Sequence, residues 1–578
     1  MKDHYSRRPV GRYFSIRIPL SAGALCSACL LAASSTAWAE GAAPAAPTPA
    51  GSSARPIPPP PPPSDETAGT GFKDRFVLDT GRVPVAPPKP DTLHIQLHGQ
   101  YQLRLSGLSD LPLAQFGGDA QSGSLGQTVR LVHWLRITPR LQYRDKLQVV
   151  GQIDVPRGFI AGQTTRHVQA AEHAMDKRQP LEVAPRWLYL DWMSPVGLVR
   201  VGQQPSHWGM GILANDGDHP TLFGDYRDGS IVERVLFATR PGGKDSPFNV
   251  ALAGDLVFKD PNANLVDGDR AFEGVLAAFY QDRDDNMIGL YGVYRDQRRN
   301  NDAPLAREFN EKLQVWVMDS AGRFNAKIPG ARGHVFGGYE VAYILGKTNY
   351  VRTLTQTQNN SLEDVRQLGA AAHLGAVTTA GQGDQRWGDF VASLEWGWAS
   401  GDSNPNDGVE KRFTFDPNHN VGLIIFNEAL AWKTARAATV AEDPALSARP
   451  NPGADLLPTN GGVAGATYLN PGIVVRPVRQ LDLKGGAVIA QTTADFVDPV
   501  YVGTNGRFRN YDRGSPKSHD LGLELDAGVE YRLALDYGMK LQLGAQGGVF
   551  FPGGAFTDGA GHGMANQYIG VGRLGLQY

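Results

Sequence analysis

The chain has 578 residues, with 56 Lys and Arg against 58 Asp and Glu, and a mean hydropathy of −0.29. That balance excludes a nucleic-acid footprint, because no basic excess is available to neutralise phosphate. No apolar run beyond the leader reaches the ~18 residues a membrane helix needs, so a membrane-embedded form has to be a closed barrel.

Residues 1–39 have the three parts of a secretory signal. A basic region holds Lys2, Arg7, Arg8, Arg12 and Arg17. An apolar stretch follows from about Ile18 to Ala33, then a small-residue cleavage site at Ala37-Trp38-Ala39. Without the leader's five basic residues and one acid, 51 basic and 57 acidic residues remain, a net charge of −6. Both cysteines, Cys26 and Cys29, leave with it. A large exported protein without cysteine avoids stray disulfides.

Residues 40–90 are rich in Ala and Pro, including PIPPPPPP at 56–63. Such a segment builds no core and favours extended polyproline II. It is expected to be a disordered periplasmic linker, either a spacer reaching toward peptidoglycan or a plain tail.

From Leu93 the pattern changes. Leu93, Ile95, Leu97, Gly99, Tyr101, Leu103 and Leu105 alternate with His94, Gln96, His98, Gln100, Gln102 and Arg104. Period-two alternation predicts a strand with a different solvent on each face. Val129 to Tyr143 repeats it, with His133 as a polar intruder on the apolar face. A tight turn leads into Leu147 to Asp154. Further hairpins are 187–192/198–203, 275–281/287–294, 473–478/483–491 and 523–533/541–550. Single strands fall near 231–240, 247–258, 313–323, 334–346, 366–377 and 388–399. The count is eighteen, or sixteen with the weaker segments merged. Long connections at about 106–127, 155–185, 205–229, 297–312, 347–364, 400–465 and 552–564 alternate with short turns. That asymmetry predicts an all-β, transmembrane antiparallel barrel over residues 91–578. Within 400–465, residues 427–440 are expected to be a short helix, folded into the pore or lying on its rim.

The last strand, ANQYIGVGRLGLQY, carries Tyr568, Leu574, Leu576 and Tyr578 on one face, with Ile569 and Val571 blurring the alternation. This face is expected to be the signal read by the barrel-assembly machinery. Its strand is expected to pair with Leu93–Leu105 and close the cylinder.

The inward face of the first strands carries Arg104, Arg130, Arg136 and Arg140, and Arg200 points the same way. Rows of Arg along a lumen favour anions. Equally, Asp154 and Asp191 pair them in a network that stabilises the wall. His207-Trp208-Gly209-Met210-Gly211 reads as a sharp turn at the rim or as a ligand site. Asp402, Asn404 and Asn406 sit at alternate positions like the start of a calcium loop, with Glu410 nearby. Gly408 is one residue late for an EF-hand, and Asp and Asn also simply make turns. No GxSxG, Walker or HExxH motif occurs, so the chain is not expected to be an enzyme.

Several stretches together resemble one family: PVGLVRVGQQPSHWGMGILANDGD (195–218), FGDYRDGSIVERVLFATRP (223–241), WASGDSNPNDG (398–408), FTFDPNHNVGLIIF (413–426), DLGLELDAGVEY (520–531), GAQGGVFFPGGAF (544–556) and the terminal strand. This is a group of outer-membrane barrel proteins of myxobacteria and their relatives with no assigned function. The WASGD segment is also similar to alginate-export porins. The resemblance implies a signal peptide, a Pro-rich leader and an outer-membrane barrel, and brings no substrate or catalytic residue. The function expected is a porin-like passive channel for small polar or anionic solutes in a Gram-negative outer membrane. Its partners would be lipid and lipopolysaccharide, with further copies of the chain possible. The alternatives are a non-conducting surface scaffold or adhesin with a plugged lumen, and an outer-membrane enzyme.

Overall fold

A computed structural model describes residues 93–578, apart from 115–122, 126–127, 145, 163–181, 244–245, 283–285, 301–309, 329–332, 351–361, 379–388, 443–457, 479 and 536–537. The signal peptide and Pro-rich linker lie outside the described residues.

Eighteen strands form one antiparallel cylinder. They are β1 (Leu93–Leu108), β2 (Thr128–Tyr143), β3 (Leu147–Gly162), β4 (Glu182–Ser194), β5 (Gly197–Pro205), β6 (Ile231–Thr239), β7 (Phe248–Asp260), β8 (Arg270–Gln281) and β9 (Met287–Asn300). The second half is β10 (Asn310–Lys327), β11 (Gly333–Thr348), β12 (Glu363–Thr378), β13 (Asp389–Ala399), β14 (Ala466–Val478), β15 (Leu481–Thr492), β16 (Asp520–Ala534), β17 (Lys540–Pro552) and β18 (Gln567–Gln577). Each pairs with its sequence neighbour, and β1 pairs with β18 from Gln100↔Gln577 to Leu108↔Ile569, so no edge remains. Closure of this kind satisfies every strand's backbone in lipid.

All eighteen expected strands are present, several of them longer than the alternation indicated. β3 runs to Gly162 and β14 starts at Ala466. Even-numbered strands end in short connections, 195–196 being a two-residue turn. Odd-numbered strands end in the larger loops, 206–230 and 400–465 among them.

The outward face is apolar. Ile95 is 69% exposed and Leu290 66%, while inward Ser106 is 2% exposed. Exposed aromatics gather at both ends of this belt. Tyr143, Trp192, Phe248, Tyr280, Phe324 and Tyr578 lie at the turn end, and Phe272, Tyr294, Trp396, Phe551 and Tyr568 at the loop end. Tyr294 and Trp316 are register partners with ring centroids 4.7 Å apart. An apolar band between two aromatic girdles is the outer surface of a membrane barrel. His133, the intruder on this face, meets the Tyr101 hydroxyl at 3.5 Å.

Tyr578 exchanges two backbone hydrogen bonds with Gly99, at 3.1 and 2.8 Å. Deleting Tyr578 removes both, together with one girdle ring. The expected result is a lower yield of heat-modifiable, inserted barrel, while the conductance of molecules that do insert is unchanged. Insertion at the normal yield would show that this residue is not an assembly signal.

The hydrophobic core sits inside the cylinder. The 413–435 part of loop 400–465 turns into the lumen and buries Phe413, Phe415, Ile424, Ile425, Phe426 and Trp432 against the wall residues Tyr468, Val488, Phe550, Ile569 and Val571. A π-helical turn (Ile425–Leu430) runs into helix α1 (Ala431–Glu442). Of the two expected placements for this helix, the pore is the observed one. Ile569 and Val571 therefore break the alternation for a packing reason: at their level the lumen holds a side-chain core instead of water. A second helix, α2 (Pro499–Asn505), is capped by the Asp498 carboxylate, which accepts from the Val500 and Tyr501 amides.

Candidate functional site: a charged constriction built by two infolded loops

A second loop, 206–230, also enters the lumen. The Pro205–Ser206 exit from β5 leads into His207-Trp208-Gly209-Met210-Gly211. This motif is not a rim turn. Trp208 stacks on Tyr291 of β9, centroids 5.0 Å apart, and donates its indole N–H to Asp319 of β10 at 2.9 Å. The Glu340 carboxylate of β11 accepts the Met210 amide at 2.5 Å and the Ile212 amide at 3.3 Å. Gly209 has φ +58°, and a Cβ there would lie 2.5 Å from a Glu340 oxygen. Glycine is required both by the backbone and by the close approach to the wall.

Loop 400–465 is anchored in the same way. Glu524 of β16 accepts the Leu423 amide, the Ile424 amide at 2.7 Å and the Ile425 amide at 2.7 Å. Three successive amides converging on one carboxylate form an anion nest with its anion supplied by the wall. His419 bridges Glu395 at 3.1 Å and the Tyr468 hydroxyl at 3.2 Å, and its other ring nitrogen meets the Met210 carbonyl at 3.0 Å. The loops also bind each other, the Asp416 amide donating to the Ile212 carbonyl at 2.7 Å and Thr221 Oγ1 to the Asn420 carbonyl at 2.6 Å.

Every sequence-identified arginine of the lumen faces inward, and most meet a carboxylate. Arg136 forms a two-pronged pair with Asp154 at 2.8 and 3.0 Å and also binds Asp218. Arg157 binds Asp154 at 2.9 Å and also Asp228. Arg186, fully buried, reaches Asp218 at 3.0 Å. Arg130 binds Glu428 at 2.6 Å, and Arg200 binds Asp191 at 2.6 Å. Arg140 has no acceptor for its Nε among the described residues. The network reading thus covers Arg130, Arg136, Arg200 and Asp154. Many of the neutralising acids, however, come from loop 206–230 and not from the wall.

One group departs from that balance. Arg104 of β1 and Arg573 of β18 are register partners, like charges facing each other across the closing pair of strands. Asp225 lies between them, 3.0 Å from Arg104 Nε and 3.1 Å from Arg573 Nη2. Arg227 follows two residues later and donates to the Pro417 carbonyl at 2.8 Å, linking the two loops. Burial and the nearby Arg104 push Arg227 down to about 10, still protonated at neutral pH. Three guanidiniums gather around Asp225 where the lumen is narrowed, with Glu428 and Asp416 also acting on Arg227 and Glu530 on Arg573.

Between the loops and the inner face of β7–β12 lies a cavity of about 210 Å³, lined by Asp260, Glu273, Arg295, Glu410, Arg412 and Asp416 among others. Arg295 reaches Asp260 at 2.5 Å and Glu273 at 3.0 Å. Burial pushes Asp416 up to about 7, and Glu410 likewise up to about 7 despite the opposing Arg412 charge.

The calcium-like segment turns its oxygens onto its own backbone. Asp402 accepts the Asn404 amide at 2.9 Å and the Lys411 amide at 3.2 Å, and Asn404 accepts the Asn406 amide at 3.2 Å. These are the turn-making bonds expected of Asp and Asn.

Comparison with known proteins gives a likeness of overall form. No family model matches the chain, and no curated protein matches it. Solved structures of similar form include OccAB1 of Acinetobacter baumannii (TM-score 0.42, 10% identity, covering 83% of this chain and 96% of that one). OccK5 (OpdH) of Pseudomonas aeruginosa has TM-score 0.40 and 10% identity, covering 83% of this chain and 97% of that one. The outer membrane channel DcaP of Acinetobacter baumannii has TM-score 0.36 and 11% identity, covering 84% of this chain and 97% of that one.

Proposed function

We propose that this protein is a porin-like, non-enzymatic channel of a Gram-negative outer membrane, passing small polar solutes with a preference for anions. The observation that carries the reading is a charge-lined lumen narrowed by two loops, with an arginine cluster at Arg104, Arg227 and Arg573 around Asp225. In this reading the secretory signal exports the chain, the assembly machinery inserts it, and the Pro-rich segment lies on the periplasmic side near peptidoglycan. The finer kinship, with the myxobacterial-type barrels, rests on the sequence stretches alone.

Planar-bilayer recording of the reconstituted chain tests this. Small, steady current steps support a channel. Silence across many insertions supports the alternative, a surface scaffold, which the apolar core inside the cylinder favours. Selectivity separates the roles of the arginines. An Arg104→Gln, Arg227→Gln variant should move the reversal potential in a salt gradient toward cation preference. Arg136→Gln should instead weaken assembly, since its partners are structural. An unmoved reversal potential would exclude the arginine locus as the selectivity element.

The cavity carboxylates add a pH dependence. Glu410 and Asp416 are neutral below about 7 and charged above it. Raising the pH from 6 to 8 therefore adds negative charge to the solute path, and anion preference should fall. The Glu410→Gln, Asp416→Asn variant should lose that slope.

A further inference from the structure

We infer that loop 206–230 carries a binding site for a first-row divalent transition metal, formed by His207, Asp216 and His219. One donor atom from each of these side chains lies within 4.8 Å of the other two. His219 Nδ1 is 2.8 Å and His207 Nδ1 3.7 Å from the same Asp216 oxygen. The imidazole centroids are 4.4 Å apart, with ring planes inclined by 33°. Metal–ligand bonds of ~2.0–2.2 Å at tetrahedral angles separate two donor atoms by about 3.3–3.5 Å. The two distances to Asp216 bracket that value, so seating an ion there moves His219 outward by about half an ångström and His207 inward by less.

A second observation is independent of the spacing. His207 Nδ1 is buried and has no hydrogen-bond partner among the described residues. A buried, unsatisfied ring nitrogen is costly unless something occupies its lone pair or takes its proton. An ion between His207 and Asp216 removes that cost.

The donor set selects the class of ion. Two imidazoles and one carboxylate suit Zn²⁺, Ni²⁺, Cu²⁺ or Co²⁺, whereas Ca²⁺ and Mg²⁺ need oxygen ligands. Arg323 and Asp218 act on His207 with opposite sign, so neither sets the local charge alone. The three side chains are 15%, 9% and 16% exposed, so the site is largely shielded from bulk solvent. Three protein ligands leave a coordination position for a water molecule or an anionic solute that accompanies the ion.

The site's place in the fold gives it a consequence. His207 is two residues past the end of β5, and Asp216 and His219 lie at the far side of the HWGMGILAND turn. A bound ion cross-links the two arms of that turn. It thereby pins the segment that sends Trp208 to Asp319 and the Met210 and Ile212 amides to Glu340.

The test uses the full barrel, without a polyhistidine tag, in detergent micelles with CoCl₂ as the probe. Saturable appearance of a visible cobalt band at one ion per chain, displaced by ZnCl₂, is expected. The His207→Gln, His219→Gln variant should lose it while remaining heat-modifiable, and His562→Gln, at an exposed distant histidine, should keep it. X-ray absorption on the wild-type cobalt form should count two imidazoles, a readout that does not need the variant to fold. No stoichiometric band, a band unchanged in the double variant, or fewer than two imidazoles would each overturn the site. None of these readings depends on whether the barrel conducts.

Discussion

Replacing Glu524 by Ala should raise the single-channel conductance severalfold. Glu524 is fully buried and holds the three successive amides of Leu423, Ile424 and Ile425. Asp526, on the same face of β16, is hydrogen-bonded to it. Losing the carboxylate leaves those amides buried without acceptors, at about 1–3 kcal/mol each. Loop 400–465 then lowers its free energy by leaving the lumen, where water satisfies the amides. The apolar core opposes this, since Phe426 and Ile424 lose their burial against Phe550 and Val571. The outcome expected is an equilibrium shifted toward the open form, seen as larger and noisier current steps. Glu524→Gln keeps an acceptor oxygen and should fall between the two. Conductance identical to wild type in Glu524→Ala would mean the apolar core alone retains the loop.

The second large effect is on folding. Asp154 is fully buried and paired with Arg136 and Arg157. Its removal leaves Arg136, Arg157, Arg186 and Lys259 to share Asp218 and Asp228. Breaking a buried pair from one side typically costs about 3–5 kcal/mol, because the other charge stays behind uncompensated. Asp154→Ala should therefore lower the unfolding temperature of the heat-modifiable band and the inserted yield. Asp154→Asn, which keeps the shape and some hydrogen bonds, should lose less. Equal stability of Asp154→Ala and wild type would mean the loop acids suffice without the wall acid.

Much of this architecture was legible in the alternation. Each of the eighteen strands shows period-two patterning, because lipid on one side and a filled, charged interior on the other impose it residue by residue. Where a strand adjoins an infolded loop the pattern weakens, as at Ile569 and Val571, since both faces are then apolar. The helix at 431–442 was visible as a composition, but its depth was not. The loop at 206–230 was the harder element. Its signal was present as Asp216, Asp218, Asp225 and Asp228, a set of acids to match Arg104, Arg136, Arg157 and Arg186. Pairing charges 32 to 121 residues apart needs the cylinder's geometry, which no local pattern encodes. The His207, Asp216 and His219 cluster was hidden for the same reason: a glycine-rich turn, not a regular spacing, brings the three together.

The pairing of Arg104 with Arg573 has a consequence for the order of events during biogenesis. These two cations oppose each other where the first strand meets the last, and Asp225 bridges them, with Glu530 of β16 also acting on Arg573. Zipping that seam before loop 206–230 has tucked inward would set two guanidiniums together without the carboxylate that bridges them. Sealing the wall and seating this loop are therefore expected to be coupled. Swinging the loop out would strip the seam of its bridging carboxylate.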